Sequence, residues 1–260
     1  MAEAPVRLKP AHDIYPAADG TWRIASPGDR FDRIELPFEV AAGVARSLVG
    51  EGEDERELGG ERQAFLAAFV AAGYAEAQVR PASCGGAVSL IGDAPYLSLV
   101  ADLLRGAGVA AAEAPAAGGV RVFGQLNLDD GEMDRWDAEA AEAGVARHRA
   151  FFEGGRWFVG PLTLPGQTAT YADYRSRRLA ACDVPGELVE YWRRLPGLRR
   201  RMPSPGVLAL IAGFLVSDIL AVLDGRRPPT AGFQVELDPD TLLTTWHPVL
   251  PLPGGLWEGQ

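Results

Sequence analysis

Cysteine is almost missing from this chain: Cys84 and Cys182 are the only two in 260 residues. Two thiols cannot build a disulfide framework, and a structural zinc site needs four ligands, so neither device is expected to hold the fold. Histidine is scarce too. His12, His148 and His247 fall in separate segments, with no histidine or cysteine at helical spacing from any of them, and ordinary surface or edge positions are expected. Basic residues are in deficit, 25 against 35 acids, for a formal charge of −10. The deficit is spread along the chain: nine basic and fourteen acidic residues in 1–80, nine and twelve in 81–180, seven and nine in 181–260. Such a balance repels a phosphate backbone, so nucleic acid is not an expected partner. No apolar run of signal-peptide length lies near the first residues, and a cytoplasmic protein with free thiols is expected.

Long hydrophobic runs are limited to one, 207–223 (VLALIAGFLVSDILAVL). It falls short of the roughly 20 residues a bilayer needs, and a mid-span aspartate such as Asp218 costs about 2.5 to 3.5 kcal/mol on insertion scales. A buried helix and no membrane contact are expected.

What is present is ordinary globular material, 47% hydrophobic and 23% charged, enough for one large domain or two modest ones. The segment QVRPASCGG (78–86) has linker composition. Before it, HDIYP, TWRIA and RFDRIEL are aromatic and β-branched runs separated by the turn signals AADG and SPGD, the pattern of a small antiparallel meander. Helices are predicted at 39–48, stopped by Gly50, and at 61–72, with Phe65, Leu66, Phe69 and Val70 as one stripe, joined by the acidic connector EGEDERELGG. After the linker, strand 87–91, a glycine turn and helix 96–105 open a Rossmann-like unit. Strand 120–126, helix 131–143 and a hairpin around Gly154 and Gly155 follow, then helices 170–182, 186–195 and 207–223 and short strands 232–237 and 242–246.

The chemistry is thin. The turn GDAPYL offers a phosphate one glycine, a repelling Asp93 and a Pro95 with no N–H, so a tight structural turn is the expected reading. No GxSxG elbow occurs, and no histidine lies near either cysteine in sequence. Asp129, Asp130, Glu132, Asp134 and Asp137 lack the sixth-position glycine and closing glutamate of a calcium loop and fit a helix start. Eight arginines (Arg175, Arg177, Arg178, Arg193, Arg194, Arg199, Arg200 and Arg201) form the one basic block. A solvated helix face is the default there, and docking to an acidic protein partner comes second.

The segment RLKPAHDIYPAADGTWRIASPGDRFDRIELPFEV resembles the winged-helix precursor-peptide recognition element of ribosomal peptide natural-product clusters. The phrases VSLIGDAPYLSLVADLLRGAGV, RWFVGPLTLPGQTATYADYRSRRLAA and TWHPVLPLPG resemble the degenerate ThiF-like, adenylating-enzyme-type proteins of azoline and thiopeptide pathways, often called ocin-ThiF proteins. The resemblance implies an α/β fold (α+β overall): a winged-helix domain over 1–77, then a degenerate Rossmann-like ThiF-type domain over 87–260. It also implies a non-catalytic adaptor, dimeric in the manner of its relatives, that binds a precursor leader peptide by edge-strand addition and delivers it to a modifying enzyme, a YcaO-type cyclodehydratase. Strand 30–36 and helix 61–72 would form the groove, with Phe31, Arg33, Ile34, Glu35, Phe65 and Phe69 as peptide-binding candidates. For the apolar ones, Ile34 above all, plain core packing is the competing reading. Arg199, Arg200 and Arg201 are the candidates for partner docking. Relatives that bind zinc carry a CxxC after the GPLxxPGxT phrase, where this chain has Thr170 and Asp173, so no metal and no cofactor are expected. The alternatives are an ATP-dependent adenylating or cyclodehydratase component, disfavoured by the broken glycine turn, and a winged-helix DNA-binding regulator, disfavoured by Arg62 being the only basic residue of 61–72.

Overall fold

The computed structural model describes residues 6–50, 60–77, 87–111, 119–198 and 202–252. The chain divides into two compact units, Met1–Ala82 and Ser83–Gln260. The expected linker 78–86, with Cys84, and nearly all of the acidic connector lie outside the described residues.

In the first unit, β2 (Asp13–Pro16), β3 (Trp22–Ser26) and β4 (Arg30–Ile34) form the expected antiparallel meander in the order β2-β3-β4, which leaves β4 at an edge. The sequence turn signals act where they were read: Gly28 and Asp29 both take positive φ (79° and 56°) in the β3–β4 turn. Helix α1 (Phe38–Val49) ends on Gly50, and α2 (Gly60–Ala71) follows. A pair of three-residue strands, β1 (Val6–Leu8) and β5 (Ala75–Ala77), closes the unit antiparallel. Neither is evident from the sequence, because three residues are too few to display an alternation. Ile24, Ile34, Val44, Leu48, Leu66 and Phe69 form one buried cluster between the meander and the helices.

The second unit is a six-stranded sheet in the order β11-β10-β9-β8-β7-β6. Strands β6 (Val88–Gly92), β7 (Val120–Gly124) and β8 (Ala146–Glu153) are parallel, whereas β9 (Arg156–Val159), β10 (Phe233–Leu237) and β11 (Thr244–Pro248) continue antiparallel from β8. Between them run α3 (Tyr96–Gly106), α4 (Asp130–Glu142), α5 (Tyr171–Ala180), α6 (Pro185–Arg194) and α7 (Pro205–Leu223). Helices α3 and α7 share one buried cluster with the strands, and α4, α5 and α6 contribute to a second. This is the mixed α/β architecture expected from alternating strand and helix patterns.

Helix α7 is long and apolar enough by composition to cross a membrane, with a mean hydropathy of 2.4, yet it packs on β7, β8, β9 and α3. The expected buried helix is buried along one side: Val207, Ile211, Leu215 and Ile219 face the core, while Ala209, Gly213 and Ser217 are exposed. Its one charge explains itself. Asp218 accepts from His148 Nε2 at 2.8 Å, from the Thr230 amide at 3.0 Å and from the Thr230 hydroxyl, all at fully buried positions. His148 therefore sits in the core and not at the surface or edge position expected of it; its acid partner is 70 residues away in sequence.

Candidate functional site

The first candidate site is the open edge of β4. The register places Asp32 opposite Ile24 and Ile34 opposite Trp22, on the face that looks into the core, and Phe31 opposite Ala25 and Arg33 opposite Arg23 on the other face. Helix α2 is stopped just past its end by Gly73, which takes φ 83°. The Tyr74 amide then reaches back to the Phe69 carbonyl at 3.0 Å and the Gly73 amide to that of Val70 at 3.0 Å, the paired bonds of a left-handed helix stop. This stop aims Tyr74 at β4, where its hydroxyl donates to Asp32 Oδ2 at 2.8 Å. The Asp32 carboxylate pushes the Tyr74 hydroxyl pKa up, so the phenol stays protonated and remains the donor. The strand edge and the end of α2 are thus held together by a named contact.

The peptide-binding candidates separate by burial. Ile34 and Phe69 are each 8% exposed and belong to the core, and Phe65 is half-buried against it. Phe31 is 60% exposed, and Arg33 and Glu35 are exposed as well. On α2, Gln63, Ala64, Ala67, Ala68, Val70 and Ala71 are exposed.

The second candidate site lies at the carboxyl ends of the parallel strands, where open α/β sheets commonly place ligands. Here the turn after β6 is filled from within. Asp93 Oδ1 accepts from the Leu126 amide at 3.1 Å, and the Ala94 amide donates to the Gly124 carbonyl at 3.3 Å. A Cβ on Gly92 would lie 1.9 Å from the Gly124 oxygen, and one on Gly124 would meet Leu97 at 2.7 Å. These glycines bring two strand ends and a helix together; they do not open a cradle. The acids beyond β7 are likewise engaged. Asp129 caps α4 through the Glu132 amide at 2.9 Å, and Asp130 takes the Tyr171 hydroxyl at 2.8 Å and Arg175 at 2.8 Å. Asp137 is buried against Arg147 and Arg149. Among the described residues, no cluster of three or more metal-ligating side chains occurs.

The described arginines of the basic block all have partners within the fold. Arg175 pairs with Asp130 and lies 5.4 Å from the Trp192 ring; Arg178 pairs with the buried Glu153, which also accepts from Trp192 Nε1 at 3.1 Å. Arg193 and Arg194 both pair with Glu190 on their own helix. Arg177 donates to the carbonyls of Leu250 at 2.7 Å and Pro251 at 3.2 Å. The expected solvated face holds for Arg193 and Arg194, which are exposed, but not for Arg175 and Arg178, which are part-buried against acids of other elements. Arg199, Arg200 and Arg201 lie outside the described residues. The positions at which zinc-binding relatives were expected to carry a CxxC have another use here: Thr170 and Asp173 form the capping box of α5, and Asp173 Oδ1 also accepts from the Leu252 amide at 3.2 Å.

No protein-family model and no curated protein matches the sequence. Solved structures do match in fold. The heterocyclase TruD aligns over 97% of this chain with a TM-score of 0.67 at 16% identity, and a heterocyclase in complex with substrate and cofactor over 95% with 0.64 at 14%. This chain spans 42% and 38% of those two proteins. E. coli MccB, crystallised with MccA-N7isoASN, aligns over 96% of this chain and 98% of its own with a TM-score of 0.59 at 9% identity. At such identities the likeness is one of fold: a mixed α/β architecture shared with heterocyclases and with MccB.

Proposed function

We propose that the chain is a non-catalytic adaptor in ribosomal peptide natural-product biosynthesis that captures a precursor leader peptide on β4 and delivers it to a modifying enzyme. The observation that carries this reading is the edge of β4, which pairs with no further strand among the described residues and is braced at Asp32 by Tyr74. An edge strand of this kind offers main-chain hydrogen bonds for affinity and room beside it for side chains, the physical basis of strand addition. The occupied turn after β6 supports a role without nucleotide chemistry, since neither an amide nor an opening is left for a phosphate at Ala94 and Pro95. The fold neighbours support the setting: a heterocyclase was captured with substrate and cofactor, and MccB with MccA. In this proposal the modifying activity belongs to a partner enzyme of the YcaO cyclodehydratase type, to which the captured peptide is delivered. A homodimer is part of the same proposal, with the exposed side of α7 available for cover.

The test uses 20-residue synthetic peptides tiled across the N-terminal segments of short open reading frames beside the gene. At least one should bind at micromolar strength, about −8 kcal/mol, and N-methylation along it should abolish binding with a period of two. Binding that tolerates N-methylation at every position would end the strand-addition mechanism.

A further inference from the structure

We infer that the peptide added to β4 is read on the sheet face turned away from the helices, where Arg33 selects a carboxylate and Phe31 a large apolar side chain two residues apart. This rests on the adaptor reading above and goes beyond the groove between strand and helix.

The register divides the meander into two faces. Rows Pro16, Trp22, Ile34 and Ile14, Ile24, Asp32 look into the core; rows Tyr15, Arg23, Arg33 and Asp13, Ala25, Phe31 look out. On the outer face of β4 an aromatic ring at 60% exposure stands next to an exposed guanidinium, at the alternate positions of an edge strand. Among the described residues neither side chain makes a hydrogen bond, an ion pair or a ring contact. The cross-strand neighbour of Phe31 is Ala25, too small to cover the ring. The neighbour of Arg33 is another cation, Arg23, which is already neutralised: its guanidinium meets Asp19 at 2.7 Å, and bonds from Thr21 and Arg23 hold the Asp19 carboxyl at about 2. Among the described residues no carboxylate lies within ion-pair distance of Arg33.

An incoming strand puts its own side chains directly opposite these two. Opposed residues of neighbouring strands have Cβ atoms about 4.5–5.5 Å apart, and residues two apart share a face. A carboxylate opposite Arg33 completes an ion pair that the described residues leave open, and it does so on a protein whose other charges are predominantly acidic and repel such a peptide elsewhere. An aliphatic or aromatic residue opposite Phe31 covers the ring, and the residue between them points to the α2 side. The recognised pattern is thus acid, any residue, large apolar residue, or its reverse for the opposite strand direction.

The experiment takes the tightest-binding of the tiled 20-residue peptides and replaces each of its acids by lysine in turn, with affinities measured by fluorescence polarisation against the full chain. One replacement should weaken binding about tenfold, and against Arg33→Glu the order should reverse, with the lysine peptide binding better than the parent. Phe31→Ala should weaken binding about fivefold, and the loss should vanish when the apolar residue two positions from that acid is alanine. Both sites are exposed, so unchanged melting curves should accompany the variants. Hydrogen exchange of amides 30–34 on peptide addition separates the two levels of failure. Protection without coupling to Arg33 or Phe31 overturns this inference and leaves strand addition standing. No protection overturns both.

Discussion

Replacing Asp218 by alanine tests whether α7 is a core helix held by its one charge. The carboxylate serves three donors, His148 Nε2, the Thr230 amide and the Thr230 hydroxyl, at a site without solvent exposure. Each stranded donor costs about 1–3 kcal/mol, and removal of one partner from a buried pair typically costs about 3–5 kcal/mol in total. For a unit of this size each kcal/mol lowers Tm by roughly 2–4 °C, so Asp218→Ala should melt roughly 6–20 °C below the parent at pH 7 in calorimetry. The pH dependence follows from the direction of the shift. Burial pushes the Asp218 carboxyl up, but the bonds from His148 and Thr230 outweigh it and hold the group below the usual aspartate value of 3.8. A depressed folded pKa contributes stability above the unfolded value and loses it as pH falls through the folded one, so the gap between parent and variant should close below about pH 4. The pair His148→Leu and Asp218→Leu together should recover part of the loss, since the His148 donor is no longer left stranded. A single Asp218→Ala variant that melts within about 1 °C of the parent would refute the reasoning, because α7 would then owe nothing to its charge.

Two other outcomes are expected. Gly124→Ala should destabilise the second unit by about 1–3 kcal/mol through the contact with Leu97 at 2.7 Å, and Leu97→Ala in the same chain should restore part of it, read by thermal melts of the three variants. ATP with magnesium should leave Tm unchanged at millimolar concentration and the purified chain should contain no stoichiometric zinc by elemental analysis; a clear ATP-dependent rise would favour the adenylating alternative.

The parts of the fold written in local signals were legible. The meander showed itself because SPGD and AADG punctuate alternating runs, and the strand–turn–helix around Gly92 because its glycine and proline sit at a change of period. Boundaries of the last strands were less so: β11 runs over Thr244–Pro248, two residues later than the 242–246 expected. What stayed hidden depends on partners distant in sequence. His148 looked like an edge residue because Asp218 lies 70 positions away, and Arg175 and Arg178 looked solvated because Asp130 and Glu153 come from other elements. Hydropathy counts apolar residues but not neighbours, so it could not tell that α7 would bury only one side. In the candidate site, the edge strand was legible from the meander, but the split between core Ile34 and Phe69 and exposed Phe31 follows from register, which a strand pattern broken at Phe31, Ile34 and Leu36 leaves undetermined.

The attachment of residues 250–252 to α5 divides mutational freedom unevenly. Arg177 and Asp173 hold that segment solely through its carbonyls and an amide. Main-chain groups are the same in nearly every residue, so Leu250 and Leu252 can change identity without losing the attachment, provided residue 252 keeps its N–H. Asp173 and Arg177 have no such latitude. A glutamate in place of Asp173 would displace the capping box and the tail contact at once, and a lysine in place of Arg177 has one nitrogen where two carbonyls need separate donors. In a set of natural variants of this chain, the tail should therefore drift while these two helix residues stay fixed.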